Sequence, residues 1–166
     1  MTEGPKNPPA WWSAQGVKRA DGADWSAVDA GSACSLIAPA GATGPAFLVF
    51  PNHFVIRTYN NSTSYALAVG LMADGVAGAP PLATAWPVEA PISQAARTGS
   101  QTALIKLGFD PGAPDGVIGT KTRAALRAWQ SSRKLVADGH LTAELALTLQ
   151  VEAAGGTPPA VPVPSP

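Results

Sequence analysis

The chain has 166 residues, 46% hydrophobic and 13% charged, and its eleven basic and eleven acidic side chains cancel. That is enough apolar material for one domain or two small ones, and without a basic stripe a nucleic-acid partner is set aside. One cysteine excludes an internal disulfide, and Cys34 with only His53 and His140 cannot assemble a zinc set, so no metal site is expected. Residues 1–10 lack the apolar core of a secretory signal, and no run of about eighteen apolar residues is available to span a membrane.

Cys34 sits among small residues in Gly-Ser-Ala-Cys-Ser-Leu-Ile, the setting of a buried structural thiol. Residues 46–50 and 54–59 are rich in aromatic and β-branched side chains, and the spacing predicts a pair of strands separated by Pro-Asn-His. A polar stretch, 60–64, precedes an apolar helix over 65–77. Being apolar nearly all round, that helix is expected to be buried. Residues 79–91 hold four prolines and read as an extended linker.

Beyond the linker the pattern becomes helical. Residues 93–107 place Ala96, Ala103, Leu104 and Leu107 toward one face and stop at Gly108, with Gly99 expected to weaken or bend the helix. A dense turn region over 109–116 leads to a second helix at 120–133, where Thr122, Ala125, Leu126 and Trp129 form one stripe. A third helix opens at Thr142, a good N-cap, with Leu145 and Leu149 four residues apart. Residues 157–166 are proline-rich and expected to be disordered or polyproline-like. Asp115-Gly116-Val-Ile118 recurs as Asp138-Gly139-His-Leu141. Asp favours the turn, Gly tolerates positive φ, and the apolar residue staples the incoming helix, so two copies suggest a pseudo-symmetric helical module.

Two resemblances follow from these strings. Gln101-Thr-Ala-Leu104, Leu107-Gly-Phe109, Asp115-Gly-Val-Ile-Gly119, Thr122-Arg-Ala-Ala-Leu126, Trp129-Gln130 and Ala137-Asp-Gly139 resemble the peptidoglycan-binding domain 1 family, a three-helix module. Gly44-Pro-Ala-Phe-Leu-Val-Phe50, Asn52, Tyr59-Asn-Asn-Ser-Thr-Ser-Tyr-Ala-Leu-Ala-Val-Gly70 and Ala73-Asp74 resemble the end of the catalytic domain of membrane-bound lytic murein transglycosylases of the B type. The fold class so implied is α+β: a small strand pair and buried helix ending a lysozyme-like transglycosylase domain, then the three-helix module. The expected domains are 1–78 for the catalytic remnant, 79–91 for the linker, 92–150 for the peptidoglycan-binding module and 151–166 for the tail.

Such enzymes cleave between N-acetylmuramic acid and N-acetylglucosamine without a cofactor, one glutamate moving the proton. In the family that glutamate precedes a Ser/Thr-x-aromatic-Gly pattern. Glu3, Glu89, Glu144 and Glu152 all lack that context, so no catalytic residue is assigned and the chain is expected to bind murein without cleaving it. The resemblance implies that Tyr59, Asn60, Ser62 and Tyr65 line the substrate cleft. Tyrosine faces pack on sugar rings and an asparagine amide pairs with an N-acetyl group, but capping and core packing explain the same residue types. In the module, Asp115, Gly116, Gly119 and Thr122 fit turn and cap geometry. Arg123 and Gln130, read as lying off the core face, together with Asp115, are the candidates for peptidoglycan contact.

The partner implied is a glycan strand or stem peptide, in the periplasm or cell envelope, and the missing signal is read as a sign of truncation. An active transglycosylase whose glutamate comes from an upstream part or a partner, and a docking or regulatory protein for a wall-lytic enzyme, remain the alternatives.

Overall fold

The computed structural model describes residues 4–25, 30–157 and 159. Most of the expected proline-rich tail, and Glu3, lie outside the described residues. The chain divides into two compact units, one comprising residues 1–39 and 44–86, the other 40–43 and 87–166.

In the first unit α1 (Pro9–Ala14) is followed by an antiparallel pair, β1 (Ser35–Ile37) and β2 (Phe47–Val49), in the register Ser35↔Val49, Leu36↔Leu48, Ile37↔Phe47. Then come α2 (Pro51–Tyr59) and α3 (Thr63–Val76). The strand pair therefore forms, but its second member is not 54–59. Phe54-Val-Ile is strand-like in composition, yet Pro51 occupies the start of a helix, where its fixed φ fits and its missing N–H costs nothing. The partner of β2 comes from upstream, beside the buried Cys34, whose thiol donates to the Asn7 carbonyl at 3.2 Å. Trp12 Nε1 donates to the Cys34 carbonyl at 3.1 Å, fixing α1 to the strand edge.

Ser62 caps α3 by accepting from the Tyr65 N–H at 3.2 Å. Ile37, Val49 and Leu67 form the core of this unit, with Phe47, Phe54 and Leu71 packed against them. The expected burial of α3 is corrected here: only Ala66 and Leu67 are buried, while Met72 and Val76 are 72% and 92% exposed. A helix apolar on every side has more hydrophobic surface than one small core can cover.

The second unit holds α4 (Gln94–Lys106), α5 (Thr120–Ser132) and α6 (Ala143–Ala153). Ser93 and Thr142 cap α4 and α6 through the Ala96 and Leu145 N–H groups. Leu104, Leu126, Trp129 and Leu149 are fully buried, each contributing about 1.5–3 kcal/mol by removal from water. Gly99 does not interrupt α4. A Cβ there would lie 3.2 Å from the Gln150 side chain, so the glycine permits close packing against α6.

The links between the helices are fixed by two buried amides. Gln101, on α4, accepts from the Gly116 N–H at 2.7 Å and donates to Asp115 Oδ1, the Val117 carbonyl and Thr122 Oγ1. Gln130, on α5, accepts from the Gly139 N–H at 2.8 Å and donates to Asp138 Oδ1 at 2.8 Å. Each aspartate also accepts from the backbone N–H two residues on, Val117 or His140. The repeated Asp-Gly turn is thus a repeated clamp, with one glutamine reading both residues of the turn. Both glycines have positive φ, and a Cβ on Gly139 would lie 2.7 Å from the Arg123 carbonyl oxygen.

Replacing Gln101 with Ala leaves the Gly116 N–H buried and unpaired and opens a void. Stability should fall by about 3 kcal/mol, as read by urea unfolding of the full chain. Asp115 accepts hydrogen bonds from Val117 and Gln101, which hold its carboxyl below the usual 3.8. Because the folded value lies below the unfolded one, its contribution is present above pH 3.8 and is lost as pH falls through the folded value. Asp115→Asn should therefore lose part of the acid-induced destabilisation, so thermal melts of mutant and parent converge as pH falls below 3.8.

Candidate functional site

Two groups of residues carry the candidate chemistry, one in each unit. In the first, the α2–α3 junction gathers Tyr59, Asn60, Ser62 and Tyr65. Tyr59 ends α2 and is 85% exposed, and Tyr65 is 39% exposed one turn into α3. Their rings lie 6.3 Å apart at 35°, giving two open aromatic faces beside the exposed Asn60. Arg57 Nη2 donates to Asn61 Oδ1 at 2.7 Å and ties the junction to α2. Aromatic faces next to an amide suit a sugar ring bearing an N-acetyl group. Ser62 has a structural task as the α3 cap.

In the second unit the three candidates separate. Asp115 sits in the first clamp with Gln101. Gln130 and Arg123 meet at the second turn. Gln130 does not lie off the core face as expected: it is 4% exposed and both ends of its amide are engaged by Asp138 and Gly139. Arg123 is half-buried and donates to the Gly139 carbonyl at 3.4 Å. Burial lowers its pKa, the neighbouring Arg127 lowers it further, and Asp138 opposes both. Trp129 is fully buried in the core and donates from Nε1 to Glu152 at 3.1 Å, while Glu152 also pairs with Arg133.

The sequence did not single out a concave feature of this unit, a pocket of about 410 Å³ beside the second clamp. Its apolar wall includes Val88, Leu135, Val136 and Leu145, and its polar positions include Glu89, His140, Thr142 and Glu144. His140 Nε2 donates to the Glu89 carboxylate at 2.9 Å, drawing together residues 51 apart in the chain. Asp138 closes the site from below: Oδ1 serves Gln130 and His140, and Oδ2 accepts from the Ala42 N–H at 2.9 Å. A Cβ on Gly41 would lie 2.5 Å from that Oδ2, so the 40–43 turn needs glycine there. Glu89, Glu144 and Glu152 belong to the second unit and the tyrosine pair to the first.

Comparison with known proteins agrees with this division. Residues 2–74 match the family model described as transglycosylase SLT domain, and residues 93–149 match the model described as peptidoglycan binding domain. None of the curated proteins compared with the chain matches it. The crystal structure of SltB3 from Pseudomonas aeruginosa in complex with NAG-anhNAM-pentapeptide is similar, with a TM-score of 0.82 and 43% identity, over 88% of this chain and 39% of that one. The same protein in complex with NAG-NAM-pentapeptide gives a TM-score of 0.82 and 42% identity, over 87% of this chain and 39% of that one. The chain thus spans about two fifths of the length of the SltB3 chain. Along its length it is similar first to a transglycosylase SLT domain and then to a peptidoglycan binding domain, and its fold, mostly helical with one two-stranded sheet among the described residues, is similar to that of SltB3.

Proposed function

We propose that this chain binds peptidoglycan through residues 92–150, and that residues 1–78 correspond to the closing part of the catalytic domain of a membrane-bound B type lytic murein transglycosylase. The observation that carries the reading is the similarity, at 43% identity over 88% of the chain, to the crystal structure of SltB3 in complex with NAG-anhNAM-pentapeptide. The match of residues 93–149 to the peptidoglycan binding domain supports placing the affinity in the second unit. A peptidoglycan ligand places the protein in the periplasm or cell envelope. Among the described residues no helix is long and apolar enough to cross a membrane.

Cleavage is assigned to a longer enzyme and not to this stretch. Glu89, Glu144 and Glu152 lie in the linker and on α6 with structural neighbours, and none has the family's Ser/Thr-x-aromatic-Gly sequence after it. The open tyrosine pair favours a second reading in which residues 59–65 hold a glycan strand while an acid supplied from elsewhere performs the chemistry. Asp115 and Arg123 remain the module's proposed peptidoglycan contacts. Gln130 would act through the turn it holds.

Sedimentation of the full chain with insoluble peptidoglycan, with mass spectrometry of the supernatant, tests both readings. Co-sedimentation without anhydro-muropeptide release is the expected result. Failure to sediment would overturn the binding assignment, and released anhydro product would overturn the non-catalytic one.

A further inference from the structure

We infer that the pocket beside the second clamp takes an aliphatic side chain ending in an ammonium group, which in a wall ligand is the diamino-acid residue of a stem peptide. The inference rests on the peptidoglycan-binding reading and names the part of the polymer that enters.

The shape and the charge of the pocket argue together. About 410 Å³ is room for one amino-acid side chain with its adjoining peptide, and is small for a run of sugar rings. Val88, Leu135, Val136 and Leu145 give the walls an aliphatic character suited to a methylene chain, and no Phe, Tyr or Trp is among the lining residues for a sugar to stack on. The ionisable groups on the lining are Glu89, Asp138, His140 and Glu144, and neither lysine nor arginine is among them. Asp138 accepts from Gln130 and His140 at Oδ1 and from Ala42 at Oδ2, so both of its oxygens serve the turn. Glu89 meets His140 Nε2 through both oxygens, at 3.0 and 2.9 Å, which leaves the exposed Glu144 as the carboxylate most open to a ligand.

The histidine holds one of these carboxylates in place, with Nε2 against Glu89 at 2.9 Å. The exposed Glu144 carboxylate, with the lone pairs Glu89 keeps beyond that contact, gives acceptors matched to an ammonium, which has three donors and no acceptor. A carboxylate ligand would meet two like charges instead. Glu144 also lies in the first turn of α6, where it favours the helix dipole, so part of its contribution is to folding. The test must separate that share from recognition.

Full-length protein is titrated calorimetrically with a soluble disaccharide–stem-peptide carrying a free side-chain amine, and with the same molecule after N-acetylation of that amine. The free-amine form should bind about tenfold more tightly, the loss of one charge-assisted hydrogen bond. Glu144→Gln should abolish that preference, while its thermal melt reports the helix contribution separately. Leu135→Trp, which fills the aliphatic wall, should weaken both forms while leaving the Glu144 carboxylate in place. Equal affinity for free and acetylated forms, with sedimentation on insoluble peptidoglycan retained, would overturn the pocket assignment and leave the binding reading standing. Loss of sedimentation as well would overturn both.

Discussion

Two buried glutamine amides hold the C-terminal unit in shape. A primary amide offers an acceptor and donors a fixed distance apart, and an Asp-Gly turn presents a matching N–H and carboxylate. Gln101 and Gln130 each complete that match, so the buried Gly116 N–H and the Gly139 N–H of the loops between helices are paired. The helices supply the hydrophobic core, with Leu104, Leu126, Trp129 and Leu149 at its centre. The clamps decide where the loops lie on it. The second clamp also builds the floor of the pocket, because the Asp138 it orients holds the His140 N–H on one side and the Ala42 N–H on the other.

Much of the module was legible in the sequence because its signals are local. Ser93 and Thr142 are caps, Gly108 follows a helix end, and the stripe Thr122, Ala125, Leu126, Trp129 has helical period. The misreading of Gln130 is instructive. It lies four residues after Leu126 and eight after Thr122, on the buried face, and only its polarity suggested otherwise. Gln101, three residues before Leu104, carries the same signal. A polar residue at a core position, followed by an Asp-Gly turn, is a clamp that can be sought in a sequence.

The N-terminal unit was harder to read because its decisive contacts are distant. The run 54–59 is too short for periodicity to separate strand from helix, and its β-branched residues pulled toward strand. Pro51 at the helix start was the outweighing signal. The actual partner of β2 lies at 35–37, and nothing near residue 47 announces it. The Glu89–His140 contact crosses 51 residues, so neither it nor the pocket beside it has a sequence signature. Tyr59 and Tyr65 were named from a motif; the 6.3 Å spacing of their rings comes from the α2–α3 junction, which the motif does not describe.

Structure and proposed role meet in the second unit, where clamped turns present a pre-formed pocket whose loops need little ordering on binding. The most direct test is a backbone amide NMR titration of the full chain with soluble muropeptide. The account expects saturable shifts at His140, Thr142 and Glu144, with amides of the α2–α3 junction moving less. Saturable shifts confined to residues 59–65, with the second unit unmoved, would contradict it.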